Sequence, residues 1–121
     1  MTADEIVRSM IAALERKDLT AAIGMMTEDV EYDNVPIGKV HGHDGVTGAL
    51  QPFLAGCGRV EWVIHHQAAT GGDVTNERTD RFELGDRWAE VDVAGLFVVR
   101  DGKVALWRDD FDLAAAQREL S

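Results

Sequence analysis

The stretch from Val74 to Phe111, VTNERTDRFELGDRWAEVDVAGLFVVRDGKVALWRDDF, decides the fold. It divides into the runs Val74–Leu84, Trp88–Val99 and Val104–Phe111, parted by Leu84-Gly85-Asp86-Arg87 and Arg100-Asp101-Gly102-Lys103. Gly and Asp-Gly between alternating apolar and polar runs are strong short-range hairpin signals. A further run, Val60–Ala69, precedes it across Gly71-Gly72-Asp73, so the sequence predicts a long antiparallel meander. Within the second run, NERTDRF (Asn76–Phe82) is charged on both faces. Alternation puts Asn76, Arg78, Asp80 and Phe82 on one side and Glu77, Thr79 and Arg81 on the other. A half-buried strand keeps charge on its wet face, so the second charged face needs a cause.

Upstream the character is helical. Ile6, Val7, Met10, Ile11 and Leu14 recur at helical spacing over residues 3–16, after a Thr2 N-cap. A shorter helix is expected over Leu19–Met26. Val30–Val35 then alternates and stops at Pro36, as an edge or irregular strand would. The Gly/His-rich link Val40–Gly45 leads into a third helix from about Asp44 to Leu54, and the tail Leu113–Leu120 has helical character. Helices followed by a meander make an α+β layout, expected as one domain over residues 1–121. A strongly curved sheet with helices on its concave side would form a cone with a blind pocket, suited to a small apolar ligand.

The net charge of −10, with no Lys/Arg cluster, argues against nucleic acid or an anionic membrane as partner. Cys57 is the only cysteine, which excludes an intrachain disulfide framework and fits a reducing cytosol. No signal-like or membrane-spanning apolar run is visible, so a cytoplasmic location is expected.

The last run repeats the anomaly of NERTDRF. Asp109 shares a face with Ala105, Trp107 and Phe111, a costly position for a lone carboxylate. Tyr32 and Asn34 share a face of the early strand. If Arg78, Asp80 and Asp109 all point inward, one guanidinium can bridge two carboxylates with its five donors. Binding one proton would relieve repulsion and desolvation, keeping one aspartic acid neutral near pH 7. That supplies a general acid and a general base in one pocket. Strand Arg/Asp neighbours also occur as surface ion pairs, and Tyr32 with Asn34 also fits a strand end with an Asx-turn. Spacing alone leaves both readings open.

Tyr32-Asp33-Asn34-Val35-Pro36, Glu77-Arg78-Thr79-Asp80, Gly95-Leu96-Phe97 and Asp101–Asp112 carry a resemblance along nearly the whole chain. The sequence resembles the limonene-1,2-epoxide hydrolase family, within the NTF2-like (SnoaL-like) α+β cone folds with a curved mixed or antiparallel sheet. The resemblance implies one-step hydrolysis of an epoxide to a diol, without cofactor or metal, in a homodimer. It puts Asp80 in the place of the acid, Asp109 in that of the base and Arg78 between them. Tyr32 and Asn34 match the residues that hold the attacking water. One departure is Asp110, where the family pattern carries an aromatic; alternation turns it away from the pocket. Alternation alone nominates Met25, Ile64, Phe82, Val93, Phe97 and Trp107 as pocket liners.

A covalent-nucleophile hydrolase is unsupported, for want of a nucleophile elbow and βαβ alternation. His41-Gly42-His43-Asp44 lacks a third local metal ligand, and of His65 and His66 at most one can face the cavity if their strand is regular. Two rivals remain in the same fold: an isomerase or cyclase that abstracts a proton beside a carbonyl, and a non-catalytic ligand-binding cone. An Arg78 bridge between two aspartates favours the epoxide reading, because a carbanion mechanism gains little from it.

Overall fold

Thr2 starts the first helix, α1 (Ala3–Glu15), through a capping box in which its hydroxyl accepts from the Glu5 amide and the Glu5 carboxylate accepts in return. The computed structural model describes residues 1–121. Ile6, Val7, Met10, Ile11 and Leu14 form the buried stripe of α1. Asp18 caps α2 (Leu19–Gly24), which ends earlier than its apolar spacing predicts because Met26 already belongs to a strand. The remaining elements are β1 (Met26–Asn34), β2 (Gly38–His41), α3 (Gly42–Ala55), β3 (Val60–Thr70), β4 (Asp73–Leu84), β5 (Arg87–Arg100), β6 (Lys103–Asp110) and α4 (Leu113–Leu120).

The strands form one curved sheet in the order β2-β1-β6-β5-β4-β3. Strands β3 to β6 are the expected antiparallel meander, with turns in which Gly71, Gly85 and Gly102 take positive φ. Strand β1 is not at the edge, contrary to the reading of Pro36. It lies between β2 and β6, antiparallel to the first and parallel to the second. The four residues of β2 were too few and too Gly-rich to register as a strand, and the β1–β6 pairing is non-local. The sheet is therefore mixed, and the architecture is the α+β cone.

The other edge is β3, and α1 covers it. The outward Trp62 amide donates to the Glu15 carboxylate at 2.9 Å, and the Gln67 amide donates to the Asp4 carboxylate at 2.9 Å. The Trp62 contact occupies a backbone position that would otherwise be open to edge-to-edge pairing, and the Gln67 contact is made by its side chain. Bulges adjust the faces. One between Ile64 and His66 leaves His65 and His66 both exposed, so neither faces the cavity. Another, opposite Val98 and Val99 of β5, is an extra residue in β6 that lets Val104 and Trp107 both point inward, although they are of opposite parity.

Candidate active site

Sheet register gathers the inward polar groups. Asn76 of β4 lies opposite Gly95 of β5, Gly95 lies opposite Asp109 of β6, and Asp109 lies beside Asn34 of β1. Trp62, Asp80 and Val91 make a second row across β3, β4 and β5. Arg78 sits on β4, two strands from Asp109. The gap of about 10 Å between β4 and β6 is therefore bridged over β5 by the Arg78 and Asp109 side chains together. Arg78 crosses at Gly95, where a Cβ would come within 2.6 Å of Arg78 Nη1 and 2.5 Å of Asn76 Oδ1. Only glycine leaves that passage open.

The guanidinium is fully buried and uses all five of its donors. Nε and Nη2 donate to the two Asp80 oxygens at 3.0 Å each. Nη1 and Nη2 donate to the two Asp109 oxygens at 3.2 and 2.9 Å. The remaining Nη1 proton goes to Asn76 Oδ1 at 3.0 Å. The aromatic rings of Trp62 and Phe97 lie 5.3 and 5.9 Å from the guanidinium carbon, which adds cation–π attraction. Burial works against the Arg78 charge, but Asp109 and Asp80 outweigh it and raise its pKa above the ordinary value.

Burial pushes the Asp80 carboxyl up to about 6, against the opposing pull of Arg78 and with help from the negative charge of Asp109 and Glu15. The direction is the one expected from the sequence, but a carboxyl held at about 6 is not the group neutral near pH 7 that the sequence predicts. At that value the proton dominates below pH 6, and about a tenth of the molecules carry it at pH 7. The Tyr32 hydroxyl is also pushed up, first by burial and then by the charge of Asp109, with Asn34 as an opposing hydrogen-bond partner. It remains a neutral donor at physiological pH.

A cavity of about 320 Å³ opens beside these groups. Asn34, Asp80, Asp109 and the Tyr32 hydroxyl are the polar parts of its wall. The remainder is apolar: Ala49, Leu50 and Phe53 from α3, Trp62, Phe82, Val91 and Val93 from the sheet, and Phe111, Ala116 and Leu120 from the C-terminal segment. Ile37, 70% exposed on the turn between β1 and β2, belongs to its rim. Arg78 is not on the wall; it lies behind the two carboxylates. The arrangement sets two carboxylates, one with a raised pKa, together with the polar groups of Tyr32 and Asn34 against an apolar space.

Of the liners nominated from alternation, Phe82 and Val93 are on the wall. Met25, Ile64, Phe97 and Trp107 are not, and that reading is corrected. Trp107 is fully buried, stacked 4.0 Å from Tyr32 and 6.3 Å from Phe97, so its faces are covered. Phe97 lies against Trp107 and Arg78, as the support of the ion cluster rather than as wall. Met25 and Ile64 pack against the main core from its periphery. Alternation gives the face of a residue but not its place along the strand, and the cavity occupies only one end of the inner face. Sequence reasoning missed the walls from α3 and α4, which only tertiary packing reveals. It put Asn76 on the inner face without giving it a task. Asp110 is exposed on the outer face, as alternation predicted.

Comparison with known proteins bears on the family and the fold. The family model described as the limonene-1,2-epoxide hydrolase catalytic domain matches residues 1–120. Epoxide hydrolase EphG of Mycobacterium tuberculosis is 32% identical over 107 residues, covering 88% of this chain and 71% of that protein. The solved structure of an M. tuberculosis LEH-like epoxide hydrolase has a TM-score of 0.82 at 31% identity, over 98% of this chain and 91% of the other. A SnoaL-like polyketide cyclase fold from Shewanella denitrificans has a TM-score of 0.86 at 15% identity, over 98% and 96% of the two chains. At that identity the likeness concerns the fold alone.

Proposed function

Because this chain belongs to the limonene-1,2-epoxide hydrolase family, and is thereby an epoxide hydrolase, we propose that it hydrolyses a small apolar or cyclic, terpene-like epoxide in one step. The observation that carries this reading is the sharing of one buried guanidinium by two carboxylates that both reach an apolar cavity. Asp80, whose proton is held to about pH 6, donates it to the oxirane oxygen as the C–O bond breaks. Water held by Tyr32 and Asn34 attacks the ring carbon and gives a proton to Asp109. One proton thus enters the product alkoxide from Asp80 and one leaves water for Asp109, so the net charge of the cluster is unchanged by turnover. Arg78 offsets the carboxylate charge throughout. The same reading takes residues 1–121 as one catalytic domain. It also includes a homodimer, which sedimentation or light scattering measures directly.

The rival proton-abstraction chemistry of the fold needs one base and an oxyanion donor. It gives no task to a second buried aspartate tied to the same arginine. Purified protein assayed on a panel of cyclic epoxides and on α,β-unsaturated ketosteroids separates the two. Diol formation supports the proposal, and ketosteroid isomerisation without diol overturns it.

Two further results are expected. The kcat/KM profile should fall as pH rises through about 6, because the donating form of Asp80 is lost there. A profile flat from pH 5 to 9 would remove Asp80 from the acid role. In H₂¹⁸O, a single turnover with excess enzyme should place the label directly in the diol. Unlabelled diol with label left in an enzyme carboxylate would show a covalent ester intermediate and end the one-step scheme.

A further inference from the structure

The fifth guanidinium donor leads away from the cavity along a chain of side chains that the reaction does not touch. Arg78 Nη1 donates to Asn76 Oδ1 at 3.0 Å. Asn76 Nδ2 donates to Gln67 Oε1 at 2.9 Å. Gln67 Nε2 donates to the Asp4 carboxylate at 2.9 Å and to the Asp4 carbonyl at 3.3 Å. Both ends are chemically fixed. Arg78 can only donate, and the ionised Asp4 carboxylate can only accept, as can its carbonyl. Each amide between them therefore has one orientation that satisfies its neighbours. Reversing either would set two donors or two acceptors face to face.

We propose that Asn76 and Gln67 are positioning residues for the shared guanidinium, a strut that ties the acid–base pair to the first turn of α1. The strut acts on the plane of Arg78. With Nη1 held by Asn76, the other four protons divide evenly, two to Asp80 and two to Asp109. Without the Asn76 oxygen, one proton of a fully buried cation has no partner, and the guanidinium turns to find one. The Gly95 passage fits the same account, because its missing Cβ leaves room for Asn76 Oδ1 and Arg78 Nη1 together. Neither Asn76 nor Gln67 is on the cavity wall, so the strut bears on chemistry rather than on substrate affinity.

The inference rests on the roles given to Asp80 and Asp109 above. Asn76→Leu keeps an inward side chain of similar size and removes the acceptor. It is expected to lower kcat by about 10- to 100-fold, the scale of a misplaced catalytic group. KM should stay within about twofold, since no wall residue changes. The alkaline limb of the pH profile should move to higher pH, because a loosened Arg78 stabilises the Asp80 carboxylate less. Gln67→Met, at a half-buried position on the β3 edge, should give the same two changes at smaller size and keeps the proposal testable if Asn76→Leu does not fold. A raised KM with kcat and limb unmoved would make these residues substrate contacts and overturn the strut. Wild-type kcat and limb in both folded variants would overturn it as well. The mechanism itself fails separately, if Asp80→Asn retains turnover.

Discussion

Asp80→Asn and Asp109→Asn are each expected to lower kcat by about 10²- to 10⁴-fold, the contribution of a positioned general acid or base. The reason lies in the division of labour. An amide at position 80 has no proton acidic enough for the oxirane oxygen, and an amide at position 109 cannot take one from water. Neither change should unfold the protein. Asp80 has a native pKa of about 6 against a reference of 3.8, so the folded state binds more protons between these values. Stability contributed by this group is therefore greatest at low pH and falls as pH rises from about 4 to 6. The shift corresponds to about 3 kcal/mol of penalty on the ionised form above pH 6. Asn is close in shape to the neutral acid and carries no such penalty, but its amide nitrogen faces one guanidinium proton that Asp80 accepts, so the two effects oppose each other. Thermal or urea unfolding at pH 8 should thus find Asp80→Asn folded and within about 2 kcal/mol of the parent, while diol production measured by chromatography is lost. Turnover within tenfold of the parent in either variant would contradict the assignment.

Arg78→Leu should have the largest effect on stability. It leaves two carboxylates, each 4% exposed, without the cation that offsets their desolvation and their mutual repulsion. Breaking a buried ionic cluster from one side costs about 3–5 kcal/mol. Because protonation of the carboxylates relieves the strain, the loss should be greatest above pH 6 and shrink as pH falls toward 4. The triple change Arg78→Leu, Asp80→Asn and Asp109→Asn should recover much of it by removing the unpaired charge. Arg78→Lys is not expected to rescue activity, because one ammonium has three donors and no planar fork to serve both carboxylates and Asn76. Urea unfolding across pH gives the comparison; a midpoint indifferent to pH in Arg78→Leu would mean that the carboxylates are not held by the guanidinium.

The two charged faces of NERTDRF turn out to differ in kind. Glu77 is exposed and Arg81 pairs at the surface with Glu61, so that face is wet. Asn76, Arg78 and Asp80 are buried, and every proton of the guanidinium is accounted for by its neighbours. Alternation alone could sort these residues, because side-chain direction in a strand is a local property. Strict alternation breaks where the strand is bulged. The bulge after Ile64 exposes both His65 and His66, and the bulge in β6 brings Val104 inward with Trp107.

What the sequence alone determined is the set of local features. These are the hairpin turns at Gly71, Gly85 and Gly102, the Thr2 cap of the first helix, and the sharing of one strand face by Arg78 and Asp80 and of another by Asp109 and Trp107. Each depends on φ, on short-range hydrogen bonding or on a two-residue period. Only the tertiary structure decided which groups meet. The parallel pairing of β1 with β6 puts Asn34 beside Asp109, the absent side chain of Gly95 lets Arg78 cross β5, and α3 and α4 close the cavity. These contacts join residues far apart in the chain, set by register and packing, and no spacing within one strand encodes them.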